Sequence, residues 1–215
     1  MSTRAETGSR SEERAWWLRT LLVAQAPRPV FEALRDDSRE AADARQEPIV
    51  VSVLLAGVAL TAVSSTAASF ADDPARGGIV IPVWLFIAGS LVAIVNYWLG
   101  GGALYLALRW LGSTGSYRRA RHLLGLAAAP IALSLLLLPI RLALYGGDIF
   151  RSGGSDGATA RWVFGALELV FVAWALALLA IGIQTAQRWS WPRSLGALVA
   201  AAAIAAILDF GLSVL

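Results

Sequence analysis

Between Asn96 and Pro130 the chain reads NYWLGGGALYLALRWLGSTGSYRRARHLLGLAAAP: one apolar run ends, a short polar loop carries Arg118, Arg119 and Arg121, and a second apolar run begins. An apolar run of about 20 residues is long enough to cross a bilayer as a helix. Arginine clusters between two such runs stay on the cytoplasmic face. Placing this one loop inside therefore assigns a side to every other loop. Apolar runs fall at about 48–70, 79–111, 122–145, 162–185 and 194–215, which predicts five spans. The N-terminus is then cytoplasmic, the loops alternate outside and inside, and the C-terminus is external.

The second run is the ambiguous one. Its roughly 33 residues make a helix of about 50 Å, against a hydrocarbon core of about 30 Å. Gly100-Gly101-Gly102 could be a turn between two short helices, or the run could be one tilted helix whose last turns, ALRWL, leave the bilayer. An extra crossing would put Arg118, Arg119 and Arg121 outside, so the charge bias favours one long helix. Trp84, Trp110, Trp162, Trp189 and Trp191 then fall at the boundaries, where an aromatic belt belongs.

Composition agrees. The chain is 57% hydrophobic and only 15% charged, whereas soluble domains carry about 25% charged residues. The predicted fold class is all-α: a polytopic helical membrane protein with five transmembrane helices preceded by short N-terminal interfacial helices. All 18 basic residues are arginine, against 15 acidic residues, and the arginines gather at segment ends, where they meet anionic head groups. The expected partners are the bilayer, anionic lipid head groups (through Arg118, Arg119 and Arg121) and a membrane or cytoplasmic protein, with a homo-oligomer left open and no nucleic acid. Arginine to the exclusion of lysine suits a GC-rich bacterium, and so a cytoplasmic cell membrane.

Residues 1–14 are polar and charged, with too little apolar surface to order, and are expected to be a disordered cytoplasmic tail. Residues 15–47 form a cytoplasmic interfacial segment. Its first part, AWWLRTLLVAQA, imitates a signal peptide, with Ala24-Gln25-Ala26 as a cleavage site, but Arg19 interrupts the apolar run; a short helix in the interface suits it better. After Pro27 and Pro29, the stretch PVFEALRDDSREAADARQE pairs Glu32 with Arg35 and Asp36 with Arg39 one turn apart and predicts a single surface helix. Residues 48–215 are the membrane domain.

Three charges fall inside the predicted spans at similar depth: Arg141, Glu168 and Asp209. A lone charge in hydrocarbon costs at least about 2.5–3.5 kcal/mol, so such groups face the bundle and pair. The cluster reads first as an ion-pair clamp between helices and second as an ion or proton site. Asn96 lies on a stripe of small residues, Gly89, Ala93, Gly100 and Ala103, as a candidate polar helix-packing residue. The single histidine, His122, stands apart from these carboxylates. No HExxH, GxSxG or phosphate-binding glycine loop occurs, so no catalytic residue, metal or cofactor is expected.

PRPVFEAL before the first span, NYWLGGGALYLALRWLG, the GSTGSYRRARHLLGLAAAP block and the count of five spans together resemble the Yip1 domain family, over Pro27 to Leu215. The matching motif positions are Pro29, Phe31, Gly112, Gly115, Ser116, Tyr117 and Pro130. The resemblance implies a five-helix membrane protein with a cytoplasmic N-terminus. Eukaryotic members are associated with Rab GTPases and vesicle transport; the acidic aromatic N-terminal signature of those members is absent, so GTPase binding does not carry over. Two functions are therefore expected: a membrane scaffold or interaction protein first, and, as the alternative, a carrier or channel for an ion, lipid or small solute using Arg141, Glu168 and Asp209.

Overall fold

A segment surrounded by lipid has to satisfy its backbone amides within itself, so apolar runs of this length fold as helices. The computed structural model describes residues 14–73, 75–76, 78–154 and 157–213, and among them all regular structure is helical. The predicted N-terminal tail lies outside the described residues except for residue 14, which opens α1 (14–22). There follow α2 (Pro27–Ala33), α3 (Arg39–Ala62), α4 (Ser65–Ala71), α5 (Val80–Trp110), α6 (Tyr117–Ala127), α7 (Ala129–Ser134) and α8 (Leu137–Tyr145). A 3₁₀ turn (Gly146–Phe150) then leads to α9 (Gly157–Gln187) and α10 (Trp191–Ser213). Five helical stretches are long and apolar enough to cross a membrane: Arg39–Ala62, Val80–Trp110, Tyr117–Tyr145, Thr159–Gln187 and Trp191–Gly211. This is a multi-pass membrane protein.

Several boundaries differ from expectation, each for a local reason. The single surface helix expected after Pro29 is divided. Its first half is α2, while its second half is continuous with the first span, because Ser38 caps a new helix: its hydroxyl accepts from the Ala41 N–H at 3.3 Å. Pro48, expected near the membrane boundary as the start of the span, sits buried inside α3. The far end of the first span is likewise cut at Ala62, and Ser64 caps α4 by accepting from the Ala67 N–H. The third span is broken twice, near Pro130 and before Pro139; there the amides of Leu135, Leu136 and Leu138 bond three residues back instead of four. The second span, by contrast, runs unbroken through Gly100–Gly102 as the 31-residue α5.

Small residues set how closely the helices approach. A Cβ on Gly57 would lie 2.3 Å from the Gly89 carbonyl oxygen, and one on Gly89 would lie 2.6 Å from Val58 Cα. Here α3 and α5 cross backbone to backbone. Gly125 similarly admits Ile49, Val53 and Tyr97, and Gly182 on α9 receives the ring of Phe31 from α2. The main core gathers Val30, Phe31, Leu34, Ile49, Leu104, Leu123, Leu126 and Ile183 at the end of the bundle that carries the arginine loop. A smaller cluster of Ala67, Ala71, Ile81, Leu85, Ile149 and Phe150 closes the opposite end.

Candidate functional site

The loop after α5 turns on Gly112, whose φ of +88° favours glycine. The Ser113 hydroxyl donates to Gln187 Oε1 at 2.9 Å and accepts from the Gly115 N–H at 3.0 Å, which ties the loop to α9. Ser116 then caps α6, accepting from the Arg119 N–H. These short bonds aim the first turn of α6 at the N-terminal helices.

Two of its three arginines do not point outward. Arg118 donates to the Asp37 carbonyl at 2.6 Å and lies 3.5 Å from the Asp37 carboxylate. Arg119 donates to the Arg35 carbonyl at 2.9 Å and lies 3.7 Å from the same carboxylate. A third guanidinium joins from α3. Arg45 is fully buried, approaches Asp37 at 3.7 Å and donates to the Asp36 carbonyl at 2.7 Å. Its Nε donates to His122 Nδ1 at 2.9 Å. Since a guanidinium can only donate, that imidazole is neutral and carries its proton on Nε2. Arg35 completes the set by donating to the Thr185 carbonyl on α9, and Trp16 of α1 lies over Arg45. Beside this hub, the exposed carboxyl of Asp36 is held below its usual pKa, chiefly because the Ser38 N–H donates to it.

One carboxylate thus serves three cations, and the chain between α2 and α3 offers the carbonyls of residues 35, 36 and 37 to the same arginines. Chemically this is a latch: it fixes α2 and, through Trp16, α1 on the bundle. Asp37, Arg45 and His122 were not singled out as a unit by the sequence. Arg45 sits among charged residues that read as a solvated face, and nothing in its spacing separates it from Arg39.

Arg121 behaves differently from its neighbours. Its guanidinium carbon is 3.7 Å from the Trp98 ring centre, 5.0 Å from that of Tyr117 and 5.4 Å from that of Tyr97. The Tyr117 hydroxyl donates to the Trp98 carbonyl, which holds the cage together.

A family model, the Yip1 domain, matches residues 21–213, which is nearly the whole chain. The chain belongs to the Yip1 domain family. No curated protein and no solved structure matches it. In this Yip1 chain the motif positions divide between the loop that feeds the latch and its surroundings. Gly112, Gly115 and Ser116 shape the loop, Tyr117 supports the cage, Phe31 is buried against Gly182, and Pro130 is buried in α7; Pro29 lies exposed on α2.

At the other end of the bundle, Arg141 Nη1 lies 3.4 Å from Glu168 Oε1, joining α8 to α9. Both border a cavity of about 460 Å³ that also takes in Arg151 and Arg161. The expected third member is not among them. Asp209 is exposed on α10, which packs on α5 and α9. Asn96 is exposed too, and its amide donates to the Val92 carbonyl of its own helix at 2.9 Å, so it bridges no pair of helices.

Proposed function

We propose that this Yip1-domain protein is a non-enzymatic scaffold of the cytoplasmic cell membrane whose cap, made of α1, α2 and the loop before α6, presents a fixed surface to a protein partner. The observation that carries this reading is the Asp37 latch. It holds the N-terminal helices in one position, and a surface ordered beforehand loses little further entropy when it binds. The outer face of α1, where Leu18, Leu21 and Leu22 are exposed beside Arg19, supports a cap lying at the lipid interface.

The test is co-purification in native lipid of the intact protein and of a variant reversed on the exposed face of α2, Arg28→Glu with Glu32→Arg. The same protein should be recovered at defined stoichiometry with the intact chain and lost with the variant. Equal recovery from both, or no stoichiometric protein at all, would remove the cap as a docking surface.

The orientation rests on the arginine-rich loop. Reporter fusions at the N-terminus and after residue 115 should read cytoplasmic, and fusions near residues 75 and 155 and at the C-terminus external. A cytoplasmic C-terminus would overturn the five-span topology.

The cavity beside Arg141 and Glu168 favours a second reading, a carrier or channel for an ion or small solute, because an intramembrane ion pair bordering a cavity with polar walls could exchange partners with a charged guest.

A further inference from the structure

The lipid-facing side of α5 is densely apolar from Ile79 through Phe86, Leu91 and Val95 to Leu99. That stretch is about 30 Å of helix, which matches the hydrocarbon thickness. Counted from Ile79, that thickness ends at Trp98 and not at Trp110, the boundary expected from the sequence, so the last turns of α5, with exposed Leu106 and Trp110, stand at head-group level and beyond. Arg121 reaches this level by laying its stem on Gly101, where an added Cβ would come 2.3 Å from Arg121 Cγ. Arg118 and Arg119 have Asp37; among the described residues Arg121 meets the rings of Tyr97, Trp98 and Tyr117. Its Nε is buried without a hydrogen-bond partner, and among the described residues no carboxylate pairs with its guanidinium. Aromatic faces stabilise a cation but leave its N–H donors unmet.

Next to the cage, toward the middle of the spans, a groove of about 240 Å³ opens between α3, α5, α6, α7 and α9. Its walls are almost wholly aliphatic, with Val53, Leu124, Ile131 and Leu179 among them, and its rim residues Leu60, Val92 and Leu176 are exposed. In other proteins, enclosed cavities of about 150 Å³ with aliphatic and aromatic walls stay dry and accept apolar guests. Tyr97 belongs to both features, since its ring lies near Arg121 and also walls the groove.

We propose that the Arg121 cage and this groove form one site for an anionic phospholipid, whose phosphate accepts from the Arg121 N–H groups while one acyl chain lies in the groove. Charge complementarity selects the head group: among the described residues the cation has no anion of its own, at the depth where lipid phosphates lie. The adjoining apolar groove selects a lipid over free phosphate. The expectation of lipid contact at Arg118, Arg119 and Arg121 narrows to Arg121, and the site stands independently of the scaffold reading.

Native mass spectrometry of the full-length protein in detergent, titrated with dioleoyl phosphatidylglycerol, dioleoyl phosphatidylcholine or inorganic phosphate, tests the site. The intact chain should retain one phosphatidylglycerol about five- to tenfold more tightly than phosphatidylcholine, the effect of one well-placed base near the surface. Arg121→Gln should erase the preference, and Arg109→Gln, at the same end of the bundle, should keep it. Ala175→Phe, which fills the groove, should weaken both lipids; Leu176→Trp at the exposed rim should do the same without repacking the core, and thermal unfolding in detergent checks that each variant is folded. Inorganic phosphate should not compete. A folded Arg121→Gln that keeps the preference, an equal loss in Arg109→Gln, undiminished binding in both groove variants, or displacement by free phosphate would each overturn the proposal.

Discussion

Asp37→Ala is expected to release α1 and α2 from the bundle and to cost about 3 kcal/mol of stability, the usual cost of stripping the partner from a buried ion pair. Three guanidiniums, those of Arg45, Arg118 and Arg119, lie within 3.5–3.7 Å of this carboxylate. Arg45 is the critical member, because it has no exposure to solvent and cannot turn outward. Asp37→Asn keeps the shape but not the charge and should behave nearly as badly. Adding Arg118→Gln to Asp37→Ala should restore part of the loss, since it removes one of the cations left facing the others. Limited trypsin digestion reads the effect directly: cleavage after Arg35 should become fast in the single variants while the membrane core stays protected. Protection equal to that of the intact chain would show that apolar packing of Phe31 and Leu34 holds the cap without the latch.

The second large effect is expected at the far end of the bundle. Arg141→Leu leaves the Glu168 carboxylate without the partner that lies 3.4 Å away, and should destabilise the protein by about 3 kcal/mol, a loss that Glu168→Leu partly reverses. The interaction term of that double-mutant cycle should be well above 1 kcal/mol. Arg141→Leu with Asp209→Leu serves as the contrast: Asp209 is exposed on another helix, so the two effects should add. The same proteins in liposomes separate clamp from carrier. If the pair only ties α8 to α9, the Arg141→Leu, Glu168→Leu protein folds and no solute flux distinguishes it from the intact chain; if the cavity carries a solute, that protein folds and flux is lost. A zero interaction term with Glu168 would take down both readings.

The spans were legible because burial in lipid imposes one requirement on every residue of a long run, and that requirement survives in the bare composition. The Arg141–Glu168 pair was legible for a related reason: a charge in hydrocarbon has few tolerable neighbours. Asp209 looked equivalent by depth, but depth along a helix does not report which way a helix face turns. Asn96 failed in the same manner, since a polar side chain on a small-residue stripe can satisfy itself on its own backbone. The latch was illegible for the opposite reason. Near water, an arginine among acidic residues is an ordinary solvated pattern, and the burial of Arg45 depends on α6 arriving from 77 residues further along the chain. Arg118 and Arg119 were found but read as outward-facing, because sequence shows a cluster of charge and not the carbonyls waiting for it.

That separation along the chain also has a timetable. Ribosomes release about 5–20 residues per second, and the cap requires partners from both α6 and α9: Arg35 meets Thr185 across 150 residues. Phe31 cannot find Gly182 until four of the five spans have been made. For on the order of ten seconds or more, then, the newborn N-terminal helices wait with Val30, Phe31 and Leu34 uncovered. During that interval the bilayer surface is an apolar phase within reach, and the seating of Phe31 on Gly182 marks the moment when the fourth span has taken its place.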